Sequence, residues 1–423
     1  MTEWADWYDG LPGGWPVQRI SQLGAVTLGK MVESLDDGDA GQPYMRAANV
    51  QPNGVLALDD IKTMPFTVNE ASRLNLRRGD VVIVEGGVGG YGRSAYVHQD
   101  LVGWGFQNSI VRVRPRAGVD GRFMTYCLLH LRAVGYIAVT ASTASMPHFT
   151  AEKVAATRIP TPSLTVQRRI ADFLDHETGE IDAFIADQEL LIELFTERRV
   201  AIVDRYLDDI SATAPLAAAS RLIQTGPFGS QLSANEYTDR DGVPVINPAH
   251  IAEKGIRPDG KVAVSAETAT RLKRHLMRPG DLVLGRRGEL GRCAVIRPCD
   301  GDVLCGTGSL LVRPNAARAL AEFLALAVSS RRSREQLELT SVGSTMSNVS
   351  AGTVSRLRIP LPSLETQTGV VSQINRERGA LDAAIADARE AIALSKERRA
   401  ALISAAVTGK IEVRDWKPPT TAA

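Results

Sequence analysis

Three glycines, Gly87, Gly89 and Gly92, follow the apolar run Val81 to Val84 with the spacing of a dinucleotide-binding turn. That chemistry requires a helix to open at the turn, so that its N-terminal amides meet a pyrophosphate. The residues from Ser94 onward instead alternate like a second strand, and the corresponding stretch of the second half, Gly285 to Gly291, lacks the pattern. The turn reads as a glycine-rich hairpin. The six histidines, His98, His130, His148, His176, His250 and His275, have no metal-ligand spacing, and Cys127, Cys293, Cys299 and Cys305 never form Cys-x-x-Cys. This fits neither a zinc module nor a disulfide framework and suits a reducing cytosol. No P-loop, HExxH motif or nuclease carboxylate set ending in Glu-x-Lys is present.

The chemistry that remains is cationic. Arg93, Arg112, Arg114 and Arg116 in the first half, and Arg271, Lys273, Arg274, Arg286, Arg287 and Arg292 in the second, gather beside turns of strand-like runs. Arginine neutralises phosphates and, as a bidentate fork, reads guanine edges. The candidates for DNA contact are Arg93, Arg112, Arg114, Arg286, Arg287 and Arg292, with a solvated protein surface as the alternative. Asn247, Pro248, Ala249 and His250 hold part of the Asn-Pro-Pro-aromatic set of amino-methyltransferases, without its second proline or its stacking ring.

The elements that must position these residues follow from length and repetition. A chain of 423 residues with 44% hydrophobic residues has room for two or three ordinary cores. Its 49 Lys and Arg nearly cancel 48 Asp and Glu, so any nucleic-acid surface must be local. The start is acidic and aromatic, and no 18 apolar residues run together, so neither a signal peptide nor a membrane span is expected, and the cytoplasm is the expected location.

Sliding the chain by 200 residues superposes one half on the other. Met146, Val154, Arg158, Ile159, Pro160, Pro162, Ser163, Leu164 and Gln167 recur as Met346, Val354, Arg358, Ile359, Pro360, Pro362, Ser363, Leu364 and Gln367. The register continues to the triplets Glu197-Arg198-Arg199 and Glu397-Arg398-Arg399. After Pro162 and Ser163, neither proline nor paired glycine appears until past Asp209, and the second copy runs likewise to Gly409, a C′ candidate. Each copy predicts a helix of about 40 residues, roughly 60 Å long.

Leu174, Ile181, Phe195 and Ile202 recur at sevens, with Phe184, Ile185, Leu191 and Ile192 beside them. Ile374, Leu381 and Leu402 hold the same frame beside Ile385 and Ile392, while Ala388 and Ser395 are small where Gln188 and Phe195 are not. Burying each such side chain contributes ~1.5–3 kcal/mol, so the helices are expected to pair as an antiparallel coiled coil. The alternative is that each packs on its own globular block.

The intervening blocks carry strand-like runs at Val81 to Val84, Ile110 to Val113, Leu282 to Leu284 and Ser309 to Val312, followed by helical patterns at Met124 to Tyr136 and Ala321 to Arg332. The expected fold is α/β: two mixed α/β domains in pseudo-twofold repeat, residues 1–160 and 213–360, separated by an antiparallel coiled coil of long helices in 161–212 and 361–412, with a tail at 413–423.

Two divergent blocks, each followed by Arg-Ile-Pro-x-Pro-Ser-Leu-x-x-Gln and a long helix with a Glu-Arg-Arg triplet, resemble the specificity subunit (HsdS) of type I restriction-modification systems. The stretch Ala400 to Val413 and the opening Gly14-Trp15 add to the likeness, which covers nearly the whole chain. The second half departs from it, with Ala214 to Leu222 in place of a Gly-Trp opening. The resemblance implies a non-catalytic subunit whose two recognition domains grip the halves of an asymmetric, split double-stranded DNA target. It implies that the helices space the domains and dock two methylation subunits, and through them restriction subunits. This chain would bind no cofactor; S-adenosylmethionine would sit in the methylation subunits, and ATP and Mg²⁺ in the restriction subunit. One turn of DNA between modules, ~34–36 Å, implies a gap of about 5–8 unread base pairs. The rival readings are a self-contained methyltransferase or nuclease with fused recognition domains, and a coiled-coil scaffold with no DNA role.

Overall fold

The computed structural model describes residues 7–35, 41–87, 90–142, 147–238, 242–252, 255–341, 349–413 and 416; Gly89, Met146 and Met346 lie outside the described residues. By contact the chain divides into residues 1–189 with 389–423, and residues 190–388. Both divisions fall inside long helices, Leu164–Asp208 and Leu364–Val407, of 45 and 44 residues. Each unit therefore contains a recognition domain and one half of each helix. No helix among the described residues is long and apolar enough to cross a membrane.

The helix ends obey local chemistry. Ser363 Oγ accepts from Thr366 N at 3.3 Å, an N-cap on the second helix. At its other end Gly409 adopts φ +71°. Gly409 N donates to Ala406 O at 3.1 Å and Lys410 N to Ala405 O at 2.8 Å, the paired bonds of a Schellman end.

In the first unit, Val17–Arg19 pairs antiparallel with Arg158–Pro160. A four-stranded antiparallel sheet has the order Gly24–Leu28, Ile110–Pro115, Val81–Val84, Ser94–Tyr96. A three-stranded sheet has the order Lys62–Met64, Gln42–Met45, Gly105–Phe106. Helix Gly121–Ala133 buries Phe123 and Leu128 against Ile83 and Val113, and Leu174, Ile403 and Val407 of the long helices close the core. The tail begins as core: Val413 is buried, and Trp416 meets the Phe173 ring edge-on at 5.5 Å.

The second unit repeats this plan. Thr213–Pro215 pairs with Arg358–Pro360, so the domain opens on the same strand despite lacking Gly-Trp. Its four-stranded sheet has the order Ser220–Thr225, Ser309–Pro314, Leu282–Gly285, Cys293–Val295. The second sheet contains Val243–Ile246 parallel to Val303–Cys305. Phe323 and Leu324 of helix Ala321–Ser329 share a core with Leu284, Val312, Ile202, Leu207 and Ile374.

The repeated motif has a mechanical role in each unit. Gln167, almost fully buried, accepts from Asp120 N at 2.9 Å and donates to Pro162 O at 2.8 Å and Gly118 O at 3.3 Å. Gln367 likewise accepts from Leu320 N at 2.9 Å and donates to Arg318 O at 2.8 Å and Pro362 O at 2.9 Å. Each amide thus ties the start of a long helix to the loop that opens the domain's own helix. Gln367→Ala leaves buried backbone groups unsatisfied and is expected to cost about 1–3 kcal/mol, read as a lower urea midpoint; an unchanged midpoint would contradict this role.

The two long helices run antiparallel in both units, with Leu174, Ile181, Ile185, Ile202, Ile374 and Ile385 buried and Ile192, Phe195, Leu381, Ile392 and Leu402 half-buried. Phe184 and Leu191, expected beside the seam, are exposed instead. Each lies one residue from a seam position, and one residue turns a side chain by about 100° around the helix. The duplicated arginines make duplicated ion pairs: Arg399 Nε lies 2.9 Å from Asp182 Oδ1 in the first unit, and Arg199 Nε 3.0 Å from Asp382 Oδ1 in the second. Arg399 also donates to Asn53 O at 2.8 Å, joining helix pair to recognition domain.

His275, 1% exposed, sits in the second unit with Gln224 Nε2 2.8 Å from Nδ1, and Arg274 Nε donates to its Nε2 at 3.0 Å. Burial, then the charge of Arg274, holds its pKa down to about 4. Between that value and the ordinary ~6.5 the unfolded chain binds the proton and the native one does not, so stability present above pH ~6.5 is lost as pH falls toward 4. His275→Gln is expected to flatten that part of the stability profile in urea titrations; parallel profiles would contradict it.

Candidate nucleic-acid interface

The strand registers bring four turns to one end of each recognition domain. In the first, Gly29 N donates to Ile110 O at 3.1 Å, Lys30 N to Phe106 O at 3.1 Å, Gln107 N to Met45 O at 3.0 Å, and Glu85 N to Ser109 O at 2.8 Å. In the second, Gly226 N donates to Ser309 O at 3.0 Å, Gly306 N to Ile246 O at 2.9 Å, and Arg286 N to Gly308 O at 2.9 Å. Interlocked turns of this kind hold polar side chains on a rigid base, which sequence-specific contact requires.

The glycine-rich segment joins antiparallel strands in both copies. Gly92 takes φ +73°, and Gly288 and Gly291 take +77° and +83°, conformations that favour glycine in a hairpin. Asn247 and His250 lie in a short turn at the same end, where Asn247 Oδ1 is 3.4 Å from the donor Gly308 N and Asn247 N donates to His250 Nδ1 at 3.2 Å. Among the described residues, no three His, Cys, Asp or Glu side chains gather as metal donors.

The structure divides the six arginine candidates. Arg112, expected on the surface, is only 4% exposed. It donates to Asn75 O at 2.6 Å, Arg73 O at 3.2 Å and Thr27 Oγ1 at 3.1 Å, and stacks over Phe106 at 5.4 Å. Burial, then repulsion from Arg114, lowers its pKa to about 10. Arg112 is therefore an interior brace, because strand alternation turns it toward the domain.

Arg114 is also spent internally. Its Nε and Nη2 donate to Asp80 Oδ1 and Oδ2, both at 2.7 Å, and Asp80 is 1% exposed. The second domain repeats this fork: Arg313 Nε and Nη2 donate to Asp281 Oδ1 and Oδ2 at 2.8 and 2.7 Å, and Asp281 is 2% exposed. A half-buried arginine forked onto a buried aspartate in both domains braces the sheet.

Arg93, Arg286, Arg287 and Arg292 lie at or beside the hairpin turns. Arg93 is half-buried with its Nε enclosed. Arg286 donates to Val349 O at 3.0 Å and Thr307 O at 3.4 Å, leaving Arg287 beside it exposed. Burial, then Arg287, lowers the Arg286 pKa. Arg292 is exposed and lines a cavity of about 790 Å³ that also meets Arg199, Arg297, Arg334 and Glu289. Gln107 of the first domain, hydrogen-bonded to Ser109, and Thr307 of the second, which the sequence did not single out, share this end with Asn247, which the sequence singled out only for its methyltransferase-like tetrapeptide. Amides and hydroxyls give no charge signal; only their place on the turns exposes them.

The family model for the type I restriction modification DNA specificity domain matches residues 12–188 and again 228–376, and the chain belongs to that family. A solved structure described as the structural basis of complex assembly and conformational transition of the type I R-M system is similar at 19% identity and TM-score 0.73, over 95% of this chain and 99% of the other. The crystal structure of the HsdS subunit from Thermoanaerobacter tengcongensis is similar at 18% identity and TM-score 0.56, over 95% and 98%. A comparison with curated proteins by sequence finds no match.

Proposed function

We propose that this chain is the non-catalytic specificity subunit of a type I restriction-modification complex, and that it recognises an asymmetric, two-part DNA sequence. The observation that carries the reading is duplication with divergence: one architecture and one helix motif occur twice, while the two reading ends present different side chains. The first offers Arg93 and Gln107, the second Asn247, Arg286, Arg287 and Thr307. Unlike donors and acceptors select unlike bases, so the two halves of the target differ.

The helices, carrying the same motif twice, serve two methylation subunits and fix the number of unread base pairs. Within the second unit the first helix leaves Leu190, Leu191 and Leu194 exposed, apolar area suited to a docked partner. Those partners hold S-adenosylmethionine, and a restriction subunit supplies the ATP- and Mg²⁺-dependent activity; the assembly is cytoplasmic. The test is methyl transfer to duplex DNA by the purified chain, with and without its methylation subunits. Transfer only by the complex is expected, and transfer by the chain alone would favour the self-contained enzyme. Within the complex, Arg287→Ala is expected to relax one target position by ~1–3 kcal/mol if it reads a base, or to weaken all sequences alike if it holds a phosphate. Unaltered binding in a series of changed sites would remove Arg287 from the interface.

A further inference from the structure

Each recognition domain leaves a large apolar side chain without cover at its reading end, and at the same place in the plan. Met31 is 71% exposed and Phe228 56% exposed. Each stands two residues after the glycine that leaves the first strand of the four-stranded sheet, Gly29 or Gly226. The glycine is required there, because a Cβ on Gly29 would overlap the Gln107 carbonyl, and one on Gly226 would overlap that of Gly306. The chain passes tightly against the neighbouring turn; the next side chain, Lys30 or Pro227, stays covered, and the one after it, Met31 or Phe228, faces outward.

The bases of both side chains are braced. Lys30 is held by Glu33 at 2.8 Å and Glu70 at 2.9 Å, and Asn108 N donates to Lys30 O at 2.7 Å. Arg271 Nη1 donates to Gln231 O at 2.9 Å, fixing the short turn that follows Phe228. A single exposed apolar residue is ordinary. Recurrence at one position in two domains of divergent sequence, each time just after a glycine pressed against the turn that carries Gln107 or Thr307, is not.

We propose that Met31 and Phe228 are specificity-determining residues that each press an apolar surface against a base of the half-site their domain reads. This rests on the DNA-recognition function proposed above and adds to it the chemistry of the ligand surface. That surface is apolar DNA: a thymine methyl, or the face of a base where a step opens. The surrounding polar groups hydrogen-bond to base edges, whereas these two side chains select for apolar bulk.

The test uses the full chain assembled with its methylation subunits, and duplexes carrying the target found by modification mapping. In separate series each thymine is replaced by uracil, which lacks the methyl, and each adenine by fluorescent 2-aminopurine, which reports unstacking. Phe228→Ala is expected to lower preference for its own half-site over a scrambled one by ~5–100-fold, leaving the other half-site and salt-dependent non-specific binding intact. Met31→Ala is expected to do the same for the opposite half. Loss of a uracil penalty in the variant assigns the methyl, and loss of an aminopurine signal assigns the open step. The proposal is overturned if both variants, with unchanged circular dichroism, discriminate as the parent does, or if discrimination falls while neither probe responds. A parent complex that prefers no duplex at all would instead overturn the DNA-recognition reading beneath it.

Discussion

Asp281→Ala is expected to destabilise the second unit by about 1–3 kcal/mol, the cost of removing a buried carboxylate that accepts two hydrogen bonds from a half-buried guanidinium and one from the backbone. Asp281 accepts both prongs of Arg313 and also the Arg278 amide at 2.8 Å, so one substitution strands three donors. Asp80→Ala removes the same arrangement from the first unit, where Asp80 accepts from Arg114 and from Arg77 N at 2.9 Å. The two variants are separable, because all five tryptophans, Trp4, Trp7, Trp15, Trp104 and Trp416, belong to the first unit. In urea, Asp281→Ala should bring forward the circular dichroism transition ahead of tryptophan fluorescence, whereas Asp80→Ala should bring forward the fluorescence. Midpoints within error of the parent would show that these forks are dispensable.

The second large effect concerns the helices. Deleting seven residues from each, which preserves the heptad frame, shortens them by about 10 Å, close to the rise of three base pairs. The complex should then prefer a target with a correspondingly shorter gap. On the original gap, losing register with even two base pairs costs about 2–6 kcal/mol, since each mismatched pair costs ~1–3 kcal/mol. Modification of a spacer-length series reads this out; full efficiency retained on the original gap would show that the helices do not set it.

The repeat made much of the fold legible, because the residues that recur after 200 positions are those with the most demanding local roles. Gln167 and Gln367 bridge helix and domain, the Arg-Ile-Pro segments pair with each domain's opening strand, and Arg199 and Arg399 cross to the opposite helix. The strand runs were visible from their apolar character, and the glycine turn from the second strand that begins at Ser94. The reading surface was less legible, since the partners that withdraw an arginine from solvent lie far along the chain. Arg114 finds Asp80 at 34 positions' distance, and Arg313 finds Asp281 at 32. A signal did exist: Gly79-Asp80 and Gly280-Asp281 each precede an apolar strand, and Arg114-Pro115 and Arg313-Pro314 each end one. Matching those dipeptides between halves marks Arg114 as structural. Phe184 and Leu191 show the other limit, because a heptad stripe tolerates an error of one residue by eye and the helix does not.

The measurement closest to the central claim is the genome-wide map of modified adenines in cells carrying this chain with its methylation subunits, compared with cells carrying Arg286→Ala with Arg287→Ala. The account predicts a chain-dependent motif of two unlike halves around a fixed gap, with only one half relaxed in the variant. A continuous or symmetric motif, or one that persists without this chain, would contradict it.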